Sequence, residues 1–146
     1  MRKYALCFLL LPVFIVSCYK SGQSSHFERM LHKHFESILN KDAVIIIPNQ
    51  GCGGCISYAE EFYLKHKNNT RYYFIFTSVT SVKELRYRLE INETNTFIDS
   101  LNFVPNYYID KNATIYPCVL HLANKKIRKI TYESPTENSL KSLNHE

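Results

Sequence analysis

Two cysteines separated by two glycines are the residues of this chain best placed to do covalent chemistry. The C-G-G-C motif of Cys52 and Cys55 follows the apolar run 43–47 and precedes a stretch with helical spacing. Cys52 would then lie at a helix N-terminus, where unpaired N–H groups and the helix dipole favour the thiolate, the nucleophile of disulfide exchange. Cys55, one turn into the helix, could resolve a mixed disulfide formed by Cys52. The motif therefore predicts a thiol–disulfide exchange centre that needs no diffusible cofactor.

The same pair of thiols has a second possible use, in a protein that is not an enzyme. A structural disulfide would need no turnover, whereas a structural zinc site would need four ligands. Only His66 or Cys118 could join the pair, although soft Cu(I) could be held by two or three thiolates. The alternative function is thus a non-enzymatic binding module with a structural or metal-holding dithiol. We predict no metal site.

The N-terminal residues have the three parts of a secretory signal. Basic residues precede an apolar core over 4–16, and a small residue precedes Cys18; the segment is short for a bilayer span. The ending Ile-Val-Ser-Cys18 is similar to the lipobox of bacterial lipoproteins, in which the signal is cut before a cysteine that carries lipid. We therefore predict a signal peptide over 1–17, lipid on Cys18 and a polar tether over 18–24.

An ordinary cleaved signal, or an uncleaved anchor with Cys18 incidental, would also take the chain out of the cytoplasm. We expect it in the bacterial cell envelope, anchored to a membrane and facing the periplasm. Of five cysteines, Cys7 leaves with the signal and Cys18 is acylated, so too few remain for a disulfide framework. The net charge of +5 loses Arg2 and Lys3 with the signal, and the remaining charge of about +3 is spread over short segments without a basic stripe, so no nucleic-acid partner is predicted. The expected partners are protein thiols or disulfides, and the membrane.

The elements that must position the dithiol alternate between helix and strand. This order favours parallel strands joined by right-handed crossovers. The predicted elements are a helix from a Ser25–Glu28 capping box to about Asn40, a strand over 43–47, the dithiol helix ending at 67–69, a strand over 71–78 and a helix from a Ser81–Glu84 capping box through Leu89.

The second half of the chain is less regular, and residues 91–105 have no clear pattern. Beyond them, the predicted elements are a strand over 106–110, a hairpin of strands 118–122 and 127–132, and a terminal helix that begins at Ser134-Pro135 and carries Leu140 and Leu143.

This order of elements resembles the thioredoxin fold, and the exported setting resembles the TlpA/ResA-like thioredoxin lipoproteins of Bacteroidetes. The resemblance implies a thioredoxin-like three-layer α/β/α sandwich with a central mixed sheet over residues 25–146. In that family a cis-proline opens the strand before the final hairpin and packs beside the dithiol. Pro117 fits that place better than its competitor Pro105. The resemblance also implies that Tyr116 and Pro117 bind substrate beside Cys52.

Two positions depart from the family pattern. Thioredoxins usually carry tryptophan directly before the first cysteine and an acid six positions before it, where this chain has Gly51 and Ile46. No proton acceptor for Cys55 is therefore evident. Cys118 could lie near the dithiol as a third redox thiol, but a lone cysteine in an apolar strand is more often a buried small hydrophobe.

Overall fold

A computed structural model describes residues 22–143 of the chain. The predicted signal peptide 1–17, the lipid site Cys18 and most of the predicted tether lie outside the described residues. Within them, no helix has the length and apolar character that a membrane crossing requires. The helices are α1 (Gly22–His34), α2 (Gly53–His66), α3 (Val82–Leu89) and α4 (Ser139–Leu143), and the strands are β1 (Ala43–Pro48), β2 (Tyr72–Thr77), β3 (Thr96–Ile98), β4 (Cys118–Ala123) and β5 (Lys126–Tyr132).

The strands form one five-stranded sheet in the order β3-β2-β1-β4-β5. β1, β2 and β3 are parallel, whereas β4 runs antiparallel to β1 and to β5. The central strand β1 is buried at every position, as expected of a β-branched run in a strand covered on both faces. The predicted fold class, a thioredoxin-like α/β/α sandwich with a central mixed sheet, is confirmed.

Alternate side chains of the sheet define two apolar cores. The strand order places β2 and β3 successively to one side of β1, so right-handed crossovers put α2 and α3 on the same face. The opposite face is covered by α1. The α1 core includes Phe27, Met30, Leu31, Val44, Ile46 and Cys118, and the α2 core includes Ile45, Ile47, Phe62, Tyr63, Leu85, Leu89, Leu140 and Leu143.

The first helix begins earlier than predicted. Ser25 does not cap it, because its hydroxyl donates to the carbonyl of Gly22 at 2.8 Å inside α1. Glu28 instead accepts the backbone N–H of Ile127 in β5 at 3.1 Å. The last residues of the predicted tether, 22–24, are therefore helical, and α1 ends at His34, before a short 3-10 helix over Glu36–Ile38.

The predicted strand at 106–110 is wrong. Residues Val104–Tyr107 form a 3-10 helix, and the third parallel strand is β3, within the segment that had no clear pattern. Val104 and Tyr108 are both buried in the α1 core. Residues four positions apart lie on the same face of a helical turn, so this pair packs against α1 without the segment being extended. The buried carboxylate of Asp99 holds this turn, accepting the N–H groups of Phe103 at 3.1 Å and Val104 at 2.7 Å.

The end of the chain is partly as predicted. β4 and β5 form the expected hairpin, with Asn124 and Lys125 at φ of 52° and 61° in its tight turn. The predicted helix start at Ser134 is wrong, because Ser134 and Glu137 exchange backbone hydrogen bonds of 3.0 and 3.1 Å in a turn. The helix begins only at Ser139, where the buried carboxylate of Glu133 accepts the Leu140 N–H at 3.0 Å. Its two leucines are buried as expected.

Replacing Asp99 with alanine tests how strongly the 3-10 turn depends on its buried cap. Asp99 is 1% exposed, so its loss leaves two backbone N–H groups without their acceptors. We expect Asp99→Ala to lower the free energy of unfolding in urea by about 1–3 kcal/mol. The control is Asp110→Ala, which removes an exposed cap on the N–H of Asn112. An Asp99→Ala loss no larger than the control loss would contradict the assignment.

Candidate dithiol site

Cys52 and Cys55 form a disulfide at the junction of β1 and α2. Their Cα atoms are 5.3 Å apart. Cys52 is the N-cap of α2, and the first hydrogen bond of the helix runs from the Ile56 N–H to the Cys52 carbonyl at 2.9 Å. The strand before the motif and the helix after it therefore stand where the sequence predicts them. Cys55 lies in the first turn, within reach of Cys52.

The two cysteines differ in exposure. Cys52 is partly exposed, whereas Cys55 is 7% exposed. Gly53 and Gly54 are open to solvent, and a Cβ built on either one meets no heavy atom within 4 Å. Their N–H groups precede the first helical hydrogen bond, so they lie free of helical partners beside Cys52 and favour a negative charge there. Cys52 is thus the more accessible sulfur of the pair.

Gly51 is in close contact with the segment that enters β4. A Cβ on Gly51 would lie 2.4 Å from the carbonyl oxygen of Ile115, and Gly51 has a φ of 142°, which side-chain-bearing residues rarely adopt. The N–H of Cys52 donates to that same carbonyl at 3.1 Å. The glycine in the place where thioredoxins usually carry tryptophan therefore has a structural reason, which the sequence alone did not reveal.

Tyr116 and Pro117 follow Ile115 directly, and Ile115 contacts Gly51 and accepts the Cys52 N–H. Pro117 is buried and its carbonyl accepts the Glu133 N–H at 2.8 Å. The Tyr116 N–H already donates to the carbonyl of Ala113 at 3.2 Å.

The cis-proline prediction is wrong at both candidate positions. Residues 22–143 contain no cis peptide bond, so the bonds before Pro105 and Pro117 are trans. Tyr116 has the extended backbone that residues before a trans proline prefer, with φ of −105° and ψ of 142°. Pro105 lies in the first turn of its 3-10 helix, where its missing N–H costs nothing. The backbone at both prolines is thus compatible with the trans peptide bond, which is the more stable isomer.

Cys118 is a buried core residue rather than a third thiol of the site. It is fully buried in the α1 core, whereas α2, which carries the dithiol, packs on the opposite face of the sheet. Burial raises the pKa of the Cys118 thiol well above its usual value, an effect only partly offset by hydrogen bonds with the hydroxyls of Tyr108 and Tyr132. Cys118 therefore stays a neutral thiol at physiological pH.

The two residues considered as additional metal ligands both lie away from the dithiol. His66 is at the far end of α2, about 16 Å along the helix axis from Cys55, and its ring packs on Phe62 at 4.3 Å between centroids. Cys118 belongs to the other core. Across residues 22–143, no three His, Cys, Asp or Glu side chains are grouped as metal ligands would be.

Two buried carboxylates near the site were missed by the sequence analysis. Asp99 and Glu133 follow β3 and β5 at the end of the sheet where Cys52 lies, and both are under 5% exposed. Each accepts backbone N–H groups of the following segment, and burial raises the pKa of Glu133. The sequence feature that could have revealed these two residues is an acidic residue directly after a strand and a few residues before a turn.

No protein-family model matches the chain, and neither the curated proteins nor the solved structures yield a match. The likeness to thioredoxin-like lipoproteins thus rests on the C-G-G-C motif, the proline before β4, the lipobox-like sequence ending at Cys18 and the order of elements.

A methyl group at Gly51 tests the contact with Ile115. We expect Gly51→Ala to lower the free energy of unfolding of the oxidised protein by about 1–3 kcal/mol, because alanine is strained at this φ and its Cβ would overlap the Ile115 carbonyl. Gly53→Ala is the matched control, since it adds the same methyl group in open space. Urea denaturation compares the two variants. Equal stability of both would show that the contact is not tight.

Alkylation tests the environment of Cys118. In the reduced full-length protein at about pH 8, a thiol with a raised pKa stays protonated and unreactive. We expect iodoacetamide to modify Cys52 in the folded protein, and to modify Cys118 only after unfolding in urea. Peptide mass spectrometry locates the label. Modification of Cys118 at the rate of Cys52 in the folded protein would contradict its burial.

Proposed function

We propose that this chain is a lipid-anchored thiol–disulfide oxidoreductase of the bacterial cell envelope. The observation that carries the proposal is the asymmetric pair of cysteines at the start of α2, with Cys52 accessible and Cys55 buried one turn behind it. The lipobox-like sequence ending at Cys18 supports export and anchoring, and places the pair where disulfides persist.

Exchange proceeds in two steps that balance in atoms and electrons. The Cys52 thiolate attacks one sulfur of a substrate disulfide, so that a Cys52–substrate disulfide forms and the other substrate sulfur leaves as a thiolate and takes up a proton. Deprotonated Cys55 then attacks the Cys52 sulfur, the mixed disulfide breaks, and the second substrate sulfur leaves and is protonated. Two electrons pass from the dithiol to the substrate, and a protein dithiol donor restores them by the reverse exchange.

The residues around the pair supply different parts of this chemistry. The free N–H groups at the start of α2 stabilise the Cys52 thiolate, whereas Cys55 is buried in the first turn of α2 within reach of the Cys52 sulfur. Because Ile46 replaces the usual acid, no side-chain base stands at that position, and the Cys55 proton passes to solvent at the start of α2, where Gly53 and Gly54 are exposed. The direction of electron flow depends on the potential of the pair relative to its partners.

Trapping of mixed disulfides tests the proposal. Full-length Cys55→Ser, expressed in a bacterial envelope, lacks the thiol that releases the substrate. We expect it to accumulate disulfide-linked partners that run as larger species on non-reducing gels and vanish on reduction. Cys52→Ser is the matched control and is expected to form none, because it lacks the attacking thiol. Equal yields from the two variants would contradict the assigned roles.

The reduction potential of Cys52–Cys55 separates catalysis from the competing function, a binding module with a structural disulfide. Titration against glutathione buffers with thiol-trapping mass spectrometry measures it. A value between about −120 and −270 mV is typical of exchange catalysts, whereas one below about −300 mV marks a structural disulfide and would favour the binding module.

A further inference from the structure

The large apolar side chains that are exposed are concentrated at one end of the sheet. The parallel strands β1, β2 and β3 all terminate at the end where Cys52 lies, which we call the dithiol end. Six large apolar side chains are exposed among residues 22–143. Four of them belong to the dithiol end, namely Tyr58, Leu101, Ile109 and Ile115, with exposures of 38%, 86%, 54% and 42%.

Hydrogen bonds fix these residues in place. The loop of Leu101 is held to the end of β2, because the Asn102 side chain accepts the Ser78 N–H at 3.1 Å. Ile115 covers Gly51, and Tyr58 lies in the second turn of α2. The remaining two exposed residues, Leu64 and Tyr87, are in the second halves of α2 and α3, toward the opposite end of the sheet.

The N-terminus of α1 also lies at the dithiol end. The Gln23 side chain donates to the Tyr107 carbonyl at 3.0 Å and accepts the Ile109 N–H at 2.7 Å, and a Cβ on Gly22 would lie 3.2 Å from Ile109 Cδ1. Gln23 and Ile109 also line one cavity with Tyr132, the last residue of β5, which pairs with Cys118 at the dithiol end of the sheet. Gly22, the first residue that the structure describes, therefore lies beside Ile109.

Covalent geometry limits how far the lipid can be from this end. Cys18 precedes Gly22 by four residues, which span at most about 14 Å when fully extended. Six-residue strands make the sheet about 20 Å long, so the opposite end is beyond the reach of this short connection. A lipid on Cys18 thus brings the dithiol end, and not the opposite end, to the membrane surface.

The distribution of charge agrees with this orientation. The loops that follow β1, β2 and β3 at the dithiol end, residues 49–52, 78–81 and 99–103, contain a single charged residue, the buried Asp99, and the two other segments at this end add the exposed Asp110, Lys111 and Glu137 and the buried Glu133. The loops that precede the same strands at the opposite end carry six, which are Lys41, Asp42, Lys67, Arg71, Glu90 and Glu93. The dithiol end thus has fewer exposed charges than the opposite end, and a surface with exposed apolar side chains is suited to the headgroup–acyl boundary.

We propose that the dithiol end of the sheet lies against the lipid bilayer, with Leu101, Ile109 and Ile115 at the headgroup–acyl boundary. The orientation rests on the lipid at Cys18 in the proposed function and is independent of thiol exchange. In this position Cys52 meets disulfides that are held at the membrane surface, so the substrates are membrane-embedded or membrane-anchored proteins.

Tryptophan quenching tests the orientation, because the chain contains no tryptophan of its own. Full-length lipidated protein is placed on phosphatidylcholine vesicles whose acyl chains carry bromine, a contact quencher of tryptophan. Leu101→Trp is compared with Tyr87→Trp, whose parent residues are 86% and 89% exposed. Ile115→Trp is compared with Leu64→Trp, at 42% and 44% exposed. Each pair thus differs in location and not in exposure.

We expect quenching of Leu101→Trp and Ile115→Trp to exceed that of their controls at least about twofold, with a blue shift of emission on the vesicles, since interfacial side chains reach the acyl boundary. Equal quenching within each pair would overturn the proposal. If the emission shifts to the blue without quenching, and this shift grows with protein concentration, the result would overturn the proposal and indicate that a second copy of the chain covers the surface. Failure of the full-length protein to remain on vesicles would overturn it as well.

Repeating the quenching in a Cys52→Ser background separates the two proposals. The variant lacks exchange chemistry but keeps Cys18 and every apolar residue of the dithiol end, so the same quenching pattern is expected. If the quenching pattern is as expected but Cys55→Ser traps no partners, the membrane contact is supported and the oxidoreductase function is contradicted. If partners are trapped but the quenching is equal within each pair, the oxidoreductase function is supported and the membrane contact is contradicted.

Discussion

Burial of β1 along its whole length is the constraint on which the rest of the domain depends. A strand that is apolar on both faces needs a helical layer on each side and a paired strand on each edge. α1 and α2 supply the layers, and β2 and β4 supply the pairing. Because β1 is the central strand, its C-terminal end lies in the middle of the sheet. The next residues connect it to Cys52, which is therefore at the N-terminus of α2.

The close approach between Gly51 and Ile115 joins the dithiol to the second half of the chain. The Ile115 carbonyl accepts the Cys52 N–H and leaves no room for a side chain on Gly51. Tyr116 and Pro117 follow directly in the chain, with a trans bond between them. The bulky residue that thioredoxins usually have before the first cysteine is thus replaced by backbone from the segment entering β4.

The two ends of the sheet differ in polarity. The loops that precede the parallel strands carry six charged residues, whereas those that follow them carry only the buried Asp99, and four of the six exposed large apolar side chains among residues 22–143 belong to that end of the sheet. α1 starts at the apolar end, and the proposed lipid site precedes it by only four residues. In the proposed arrangement, one short connection therefore determines both the anchoring of the domain and the direction from which substrates approach Cys52.

The sequence by itself determined the central strand, the dithiol helix, the second strand, the closing hairpin and the positions of Cys52 and Cys55, because periodicity and the C-G-G-C spacing are local signals. Only the tertiary structure decided that residues 104–107 turn rather than extend, since this depends on the distant packing of Val104 and Tyr108 against α1 and on the buried carboxylate of Asp99. The same holds for Gly51, Cys118 and the start of α4. Each is set by a neighbour far along the chain or on the other face of the sheet, which no local pattern reveals.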